Sequence, residues 1–379
     1  MTTTQPAASD LAASYERGDF LLATASSGVL AQGVLRTITD TDPRRLAATV
    51  SAVLAETGAP LAVGILPFDT GPETKVPGHL VVPQTVRRSS GSAPLAREVL
   101  AKPSRVREVP APAQHMANVA AAVAALAERD LRKAVLARAL DVEFASPLQA
   151  EQIVRNLAVG NPRHLAYAAE LPGGRTLVGA TPELLLRKSG GSVFSCPHAG
   201  SMPRSSDPAV DRANGEALMA SAKDQVEHAV VVDYVFETLR PFCSSLDVPA
   251  GPELVSTPAI WHLRTPITGE LADPSVTALD LAAALHPTPA ICGTPTEEAR
   301  ELVKDLEPFD RDYYAGAVGW VDAAGDGEWA VAIRCAEVAE TSMRLYAGGG
   351  IVPASDPQAE LDETTAKFRT LLVAMGLEH

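Results

Sequence analysis

Over positions 1–110, hydrophobic and polar side chains alternate in short runs set apart by turn residues, the pattern of strands. Apolar runs at Phe20–Ala25, Pro60–Pro67 and His79–Val82 read as strands, and a helix is expected near Arg44–Ala55. Val109-Pro110-Ala111-Pro112 then breaks the pattern and reads as a connection, because proline has no amide hydrogen to give. Past it, Met116, Val119, Val123 and Leu126 recur at helical spacing, and a strand is predicted over Lys133–Phe144. Several strands are expected within 164–197, a long helix over 209–240, a strand region over 252–263 and two short helices near 276–304. Strands over 316–322 and 328–337 are joined by Ala323-Ala324-Gly325-Asp326-Gly327, whose Asp-Gly pair is a hairpin signal. A strand at Met343–Ala347 precedes a glycine run, and a helix over 357–376 closes the chain. No internal repeat is visible. Hairpin-linked strands with helices between groups predict a large α+β fold of antiparallel sheets packed with peripheral helices.

Composition refines this picture without changing it. Of 379 residues, 46% are hydrophobic but only 4% aromatic, so the core should be built from small and branched side chains. The formal charge of −14 argues against a nucleic-acid or anionic-membrane partner. It leaves room for a small anionic substrate, since screening confines exposed charges to about 8 Å. Cysteines 196, 243, 292 and 335 show no paired spacing, which suits a reducing cytoplasm rather than a disulfide framework or a zinc cluster. The N-terminus has no basic region followed by an apolar stretch, so no signal peptide is expected. The apolar stretch Val119–Ala127 is too short to span a bilayer. No G-x-G-x-x-G or Walker A loop is present to support nucleotide binding.

Candidate chemistry is scattered. Glu360, Glu363 and Lys367 share one helix face, the arrangement of a solvated ion-pair row as much as of a site. Lys223, Asp224, Glu227 and His228 allow the same two readings, with Glu227 a possible metal ligand. Alternation places Glu328, Ala330, Ala332, Arg334 and Ala336 on one strand face, leaving one guanidinium above small residues. Its planar fork suits a carboxylate ligand or a structural salt bridge. Lys133 shares a face with Val135, Ala137 and Ala139, where desolvation would favour a neutral, basic amine, although a strand-end lysine can also snorkel to water. Glu183 lies between two apolar runs, where a carboxyl group holds its proton longer, unless the turn exposes it. Gly200 with Ser201, and Gly348-Gly349-Gly350, fit close approach to an anion or a tight turn.

Taken in order, these segments resemble the chorismate-utilising enzymes, nearest to their isochorismate synthase branch of siderophore biosynthesis. The matching stretches include KAVLAR (133–138), GATPELLLRK (179–188), AGSMPR (199–204), AKDQVEH (222–228), TPAIWHLRTPITG (257–269), LHPTPAICGTP (285–295), LEPFDRDYYAGAVGW (306–320), GEWAVAIRCAEV (327–338) and YAGGGIVPASDPQAELDETTAK (346–367). The resemblance implies a single chorismate-binding domain over 1–379, with 1–110 a more variable scaffold part and 111–379 the catalytic part. It implies that Lys133 activates a water and that Glu183 protonates the departing C4 hydroxyl of chorismate. Glu227 and Glu363 would hold Mg²⁺, with Glu360 a secondary candidate and Asp224 unassigned. Gly200, Ser201, Ala290, Arg334, Gly348 and Lys367 would contact substrate. Lys133 favours water over ammonia as nucleophile, so no amidotransferase partner is expected and a monomer is. Ala290 stands where lyase-active relatives tend to carry threonine, which favours a synthase that stops at isochorismate. A salicylate synthase and a silent chorismate-binding homologue are the alternatives. Ala222 and Ile291 depart from residues often seen in close relatives, an acidic residue and leucine.

Overall fold

The computed structural model describes residues 8–24, 27–89, 97–160, 164–256 and 260–377. A ten-stranded antiparallel sheet runs, from one edge, through Gly293–Thr294, Lys133–Glu143, Ser342–Ile351, Cys335–Val338, Arg175–Thr181, Leu165–Leu171, Phe20–Ala23, Gly28–Gln32 and Thr85–Ser89. Its tenth strand, Arg105–Val109, also pairs with Lys133–Glu143. A nine-stranded sheet runs through Cys243–Asp247, Ile267–Leu271, Ser192–Ser195, Leu184–Ser189, Gly327–Val331, Ala317–Asp322, Leu61–Leu66, Gly78–Val82 and Arg36–Asp40. A small third sheet joins His198–Pro203, Ile260–Arg264 and Glu253–Ser256.

Period-two alternation builds the layers. On Phe20–Ala23, Phe20 and Leu22 enter the core shared with the second large sheet, whereas Leu21 and Ala23 enter a core shared with the helices Ala150–Gly160 and Pro357–Met375. Leu177 and Val178 divide in the same way. The helices Pro43–Thr57 and Ala278–Leu285 pack against the nine-stranded sheet. Strands covered on both faces read as continuous apolar runs, as Leu61–Leu66 does with every residue buried. The segment before the Pro110 connection supplies strands to both large sheets, so the expected scaffold part is interleaved with the rest. Among the described residues no helix is long and apolar enough to cross a membrane.

Three expected elements turn out differently. The helix expected over 209–240 is two, Pro208–Ala220 and Ala222–Leu239, because Ser221 is extended and its hydroxyl caps the second helix at the Asp224 amide. The strand expected over 328–337 is also two, Gly327–Val331 in one large sheet and Cys335–Val338 in the other. Arg334 therefore does not share a strand face with Glu328 and Ala330; it occupies the crossing, with φ 52°. The glycine run is not a turn but continues the strand Ser342–Ile351, paired residue for residue with positions 134–143. Short strands such as Gly28–Gln32, Cys243–Asp247 and Ile267–Leu271 had no separate expectation. Ala25 and residues 257–259 of the quoted segments lie outside the described residues.

Candidate active site

Two bends lie side by side where a two-stranded ribbon passes from one large sheet to the other. Arg175–Thr181 leads through Pro182 and Glu183 into Leu184–Ser189, and its neighbour returns through Ala332, Ile333 and Arg334. The bends hold each other: the Val331 amide donates to the Glu183 carbonyl at 3.1 Å, and the Ala180 amide to the Arg334 carbonyl at 3.1 Å. Tyr167 donates from its hydroxyl to the Ile333 carbonyl at 3.0 Å. A left-handed backbone at a non-glycine residue costs about 1–2 kcal/mol, and these bonds hold Arg334 in it.

Lys133, Glu183, Gly200, Ser201, Glu227, Ala290, Arg334, Gly348, Glu363 and Lys367 all line one cavity of about 220 Å³. Glu360 does not line it; this residue is buried behind, 3% exposed, with Oε1 accepting from Ser355 Oγ at 2.8 Å and 3.6 Å from Lys223 Nζ. Lys133 is 1% exposed, so it does not snorkel, and its Nζ donates to Glu227 Oε1 at 2.8 Å. Lys367 Nζ donates to Glu363 Oε1 at 2.6 Å and to the Gly348 carbonyl at 2.7 Å, and Ser201 Oγ donates to Glu363 Oε1 at 3.2 Å. The solvated-row reading of the last helix thus gives way to a cavity wall. Arg334 has no ion pair with a described residue within 4.0 Å. Arg334 lines the cavity all the same.

The glycines let these groups converge. A Cβ at Gly350 would stand 2.5 Å from Glu227 Oε1 and 3.0 Å from Lys133 Cε, and one at Gly349 would stand 2.8 Å from Glu360 Oε2. Gly200, at φ 79°, adopts a conformation that glycine favours.

Electrostatics separate the carboxylates. Burial pushes Glu183 up to about 7, against the opposing pull of Lys133, a backbone amide at His198 and Arg334. Burial also raises Asp224, reinforced by the charges of Glu227 and Glu363, and raises Glu360, reinforced by Glu363. Burial of Glu363 is outweighed by Lys367 and Ser201, which bring it below the usual value. Four basic side chains, Lys133, Lys223, Arg334 and Lys367, line the cavity with four carboxyl groups, Glu183, Asp224, Glu227 and Glu363.

Sequence reasoning passed over His198, His262, Tyr314 and Tyr346, which also line the cavity. The tyrosine rings stack at 4.6 Å with an interplanar angle of 7°. Both stand in segments that carry the family resemblance, but an uncharged aromatic gives no signal of its own.

Among the described residues no three His, Cys, Asp or Glu side chains form a ready cage for a metal. A hard cation that keeps waters and shares its site with substrate needs only one or two carboxylates. Glu227 and Glu363 line the cavity with oxygen ligands, and Glu360 Oε2 behind them is buried without a hydrogen-bond partner. This donor set fits Mg²⁺.

The sequence profile of the chorismate binding enzymes matches residues 84–376. The chain is 45% identical to isochorismate synthase DhbC of Bacillus subtilis, over 99% of this chain and 98% of that one. It is 40% identical to isochorismate synthase EntC of Escherichia coli K12, over 84% and 82%. A crystal structure from Bacillus anthracis, assigned as a 2,3-dihydroxybenzoate-specific isochorismate synthase, superposes with a TM-score of 0.92 at 41% identity, covering 98% of this chain and all of that one. With two sheets meeting at a cavity of this composition, and with relatives of this closeness along its length, the chain belongs to the chorismate binding enzyme family.

Proposed function

We propose that this chain is an isochorismate synthase, adding water at C2 of chorismate and expelling the C4 hydroxyl. The observation that carries the reading is that one small cavity is lined by a buried lysine, Lys133, and by a buried carboxyl group, Glu183, which burial raises to about 7. Lys133 takes a proton from water as its oxygen bonds to C2, the ring double bond shifts, and the C4–O bond breaks. Glu183 gives its proton to the leaving oxygen, which departs as water. Proton return from Lys133 to Glu183 through solvent closes the cycle.

Arg334, without an ion-pair partner among the described residues, suits the enolpyruvyl carboxylate, and Lys367 supports the same substrate wall. Gly200, Ser201 and Gly348 bring backbone close to the ligand, and Ala290 leaves space beside the ring. Mg²⁺, held by Glu227 and Glu363, would neutralise the ring carboxylate and the charge that builds there. The 2,3-dihydroxybenzoate branch of siderophore synthesis is the pathway we favour, on the likeness to the Bacillus enzymes. We read the protein as a cytoplasmic monomer acting on free substrate.

Purified protein incubated with chorismate and Mg²⁺, with a chelator control, tests this by chromatography of the products. Isochorismate alone, lost on chelation, is expected. Salicylate with equimolar pyruvate would assign the chain to the lyase branch instead, and folded protein without turnover would leave a silent binder.

A further inference from the structure

The strand that carries Lys133 has an incomplete edge. On one side Ser342–Ile351 pairs with it from Glu143 to Ala134. On the other, the short strand Gly293–Thr294 pairs only with Ala134 and Lys133, and Arg105–Val109 pairs from Ala139 onward. Between them the Val135 amide still donates to the Cys292 carbonyl at 2.9 Å, but the Val135 carbonyl and the Ala137 amide have no backbone partner among the described residues on this edge, and a buried ion pair takes up both. Arg311 Nη2 donates to the Val135 carbonyl at 2.6 Å, and Glu307 Oε1 accepts from the Ala137 amide at 2.7 Å. Guanidinium and carboxylate thus supply the donor and acceptor that a neighbouring strand would have given.

The same guanidinium reaches further. Its Nη1 donates to the Ile291 carbonyl at 2.8 Å, and it lies 4.4 Å from the Phe68 ring centroid and 5.8 Å from that of Tyr314. Val135, Ile291 and Tyr314 all line the substrate cavity, but Arg311 does not. Glu307 grips Arg311 at Nε and Nη2, 2.8 and 2.5 Å away, fixing the plane of the fork. Both side chains are almost wholly buried.

We infer that Arg311, oriented by Glu307, is a positioning residue for the reaction: it ties the Lys133 strand to the Ala290–Ile291 turn and so sets the lysine against the opposite wall. The inference rests on the proposed synthase reading. One planar cation with several donors holds two carbonyls at fixed separation, which an ammonium on a flexible stem does not. Displacement by about 1 Å in a catalytic group can cost about 100-fold in rate.

Arg311→Lys keeps the charge and the pairing to Glu307 but loses the fork. Full-length wild type and variant are to be compared for kcat, KM and chorismate Kd, with circular dichroism at the assay temperature. Arg311→Ala, assayed with and without millimolar guanidinium, supplies a second variant. Expected are a kcat lowered about 100-fold in Arg311→Lys, KM and Kd within about twofold, a native spectrum, and partial recovery of Arg311→Ala by guanidinium. A folded Arg311→Lys with wild-type kcat overturns the inference. So does a loss of kcat that only tracks the unfolded fraction, because that is a purely structural role. Wild type without isochorismate formation would instead overturn the synthase reading.

Discussion

Glu183 is 4% exposed, and burial holds its carboxyl near pKa 7 against an ordinary value of 4.5. The folded state therefore binds this proton more tightly than the unfolded chain does. Its stabilising contribution is complete below about pH 4.5 and is lost as pH rises through about 7. Glu183→Gln removes the titration while keeping the volume. Thermal unfolding at pH 8 should show the variant more stable by up to about 3 kcal/mol, yet turnover of chorismate should be abolished. A variant that loses activity and stability together would point to a structural carboxylate instead. In the wild type, kcat/KM should fall as pH rises above about 7, since the acid must carry its proton. Lys133→Ala should likewise abolish turnover in folded protein, checked by product chromatography beside circular dichroism. Lys133 and Glu183 were legible as candidates from their apolar or small-residue neighbours, whereas Arg334 was reached through a strand face that does not form, since it stands at the crossing between two sheets. That these groups face one another was not legible, because Glu183 and Arg334 lie in segments far apart in the chain, and no local pattern joins them.

At the scale of elements, the glycine strand Ser342–Ile351 matters through what it lacks. Its edge-to-edge pairing with Lys133–Glu143 leaves the face of Gly350 against Lys133 and Glu227. Gly350→Ala puts a methyl group 2.5 Å from Glu227 Oε1, so the lysine–glutamate pair must move. We expect kcat/KM to drop at least about 10-fold with the spectrum unchanged; steady-state kinetics at several Mg²⁺ concentrations would show it, and wild-type values would refute the close approach. Alternation and turn signals made most strands beyond Pro110 legible. They failed at 328–337, where no proline or glycine marks the change of sheet and the bend is enforced by hydrogen bonds from distant strands. They failed too at Ser221, where an apolar pattern continues across a break made by one hydroxyl cap.

Over the whole molecule, the charge of −14 and the cavity tell different stories. Four basic side chains meet four carboxyl groups there, and Glu360 stands behind them with one oxygen unpartnered. Burial raises Asp224 and Glu360, and repulsion from Glu363, joined at Asp224 by Glu227, acts in the same direction. A divalent cation bound there would relieve this repulsion, and in the folded state alone. Mg²⁺ at 100 times its dissociation constant should therefore raise stability by about 2.7 kcal/mol, seen as a higher melting temperature that a chelator reverses without substrate present. An unchanged melting temperature would mean that the cation binds only with chorismate. Antiparallel architecture with peripheral helices was readable from periodicity, whereas the interleaving of positions 1–110 through both sheets was not, since pairing partners are chosen at long range.

What the sequence by itself determined is local and chemical: which segments pair or coil, which apolar positions turn inward, and which few charged groups stand among small neighbours. Those follow from side-chain period and desolvation, both readable within a short window of chain. Only the tertiary structure decided that two sheets exchange strands at Glu183 and Arg334, that an ion pair completes the Lys133 strand, and that Glu360 stays behind the cavity. Those depend on contacts between residues far apart in the chain, where the partner of a hydrogen bond is chosen by packing and not by spacing.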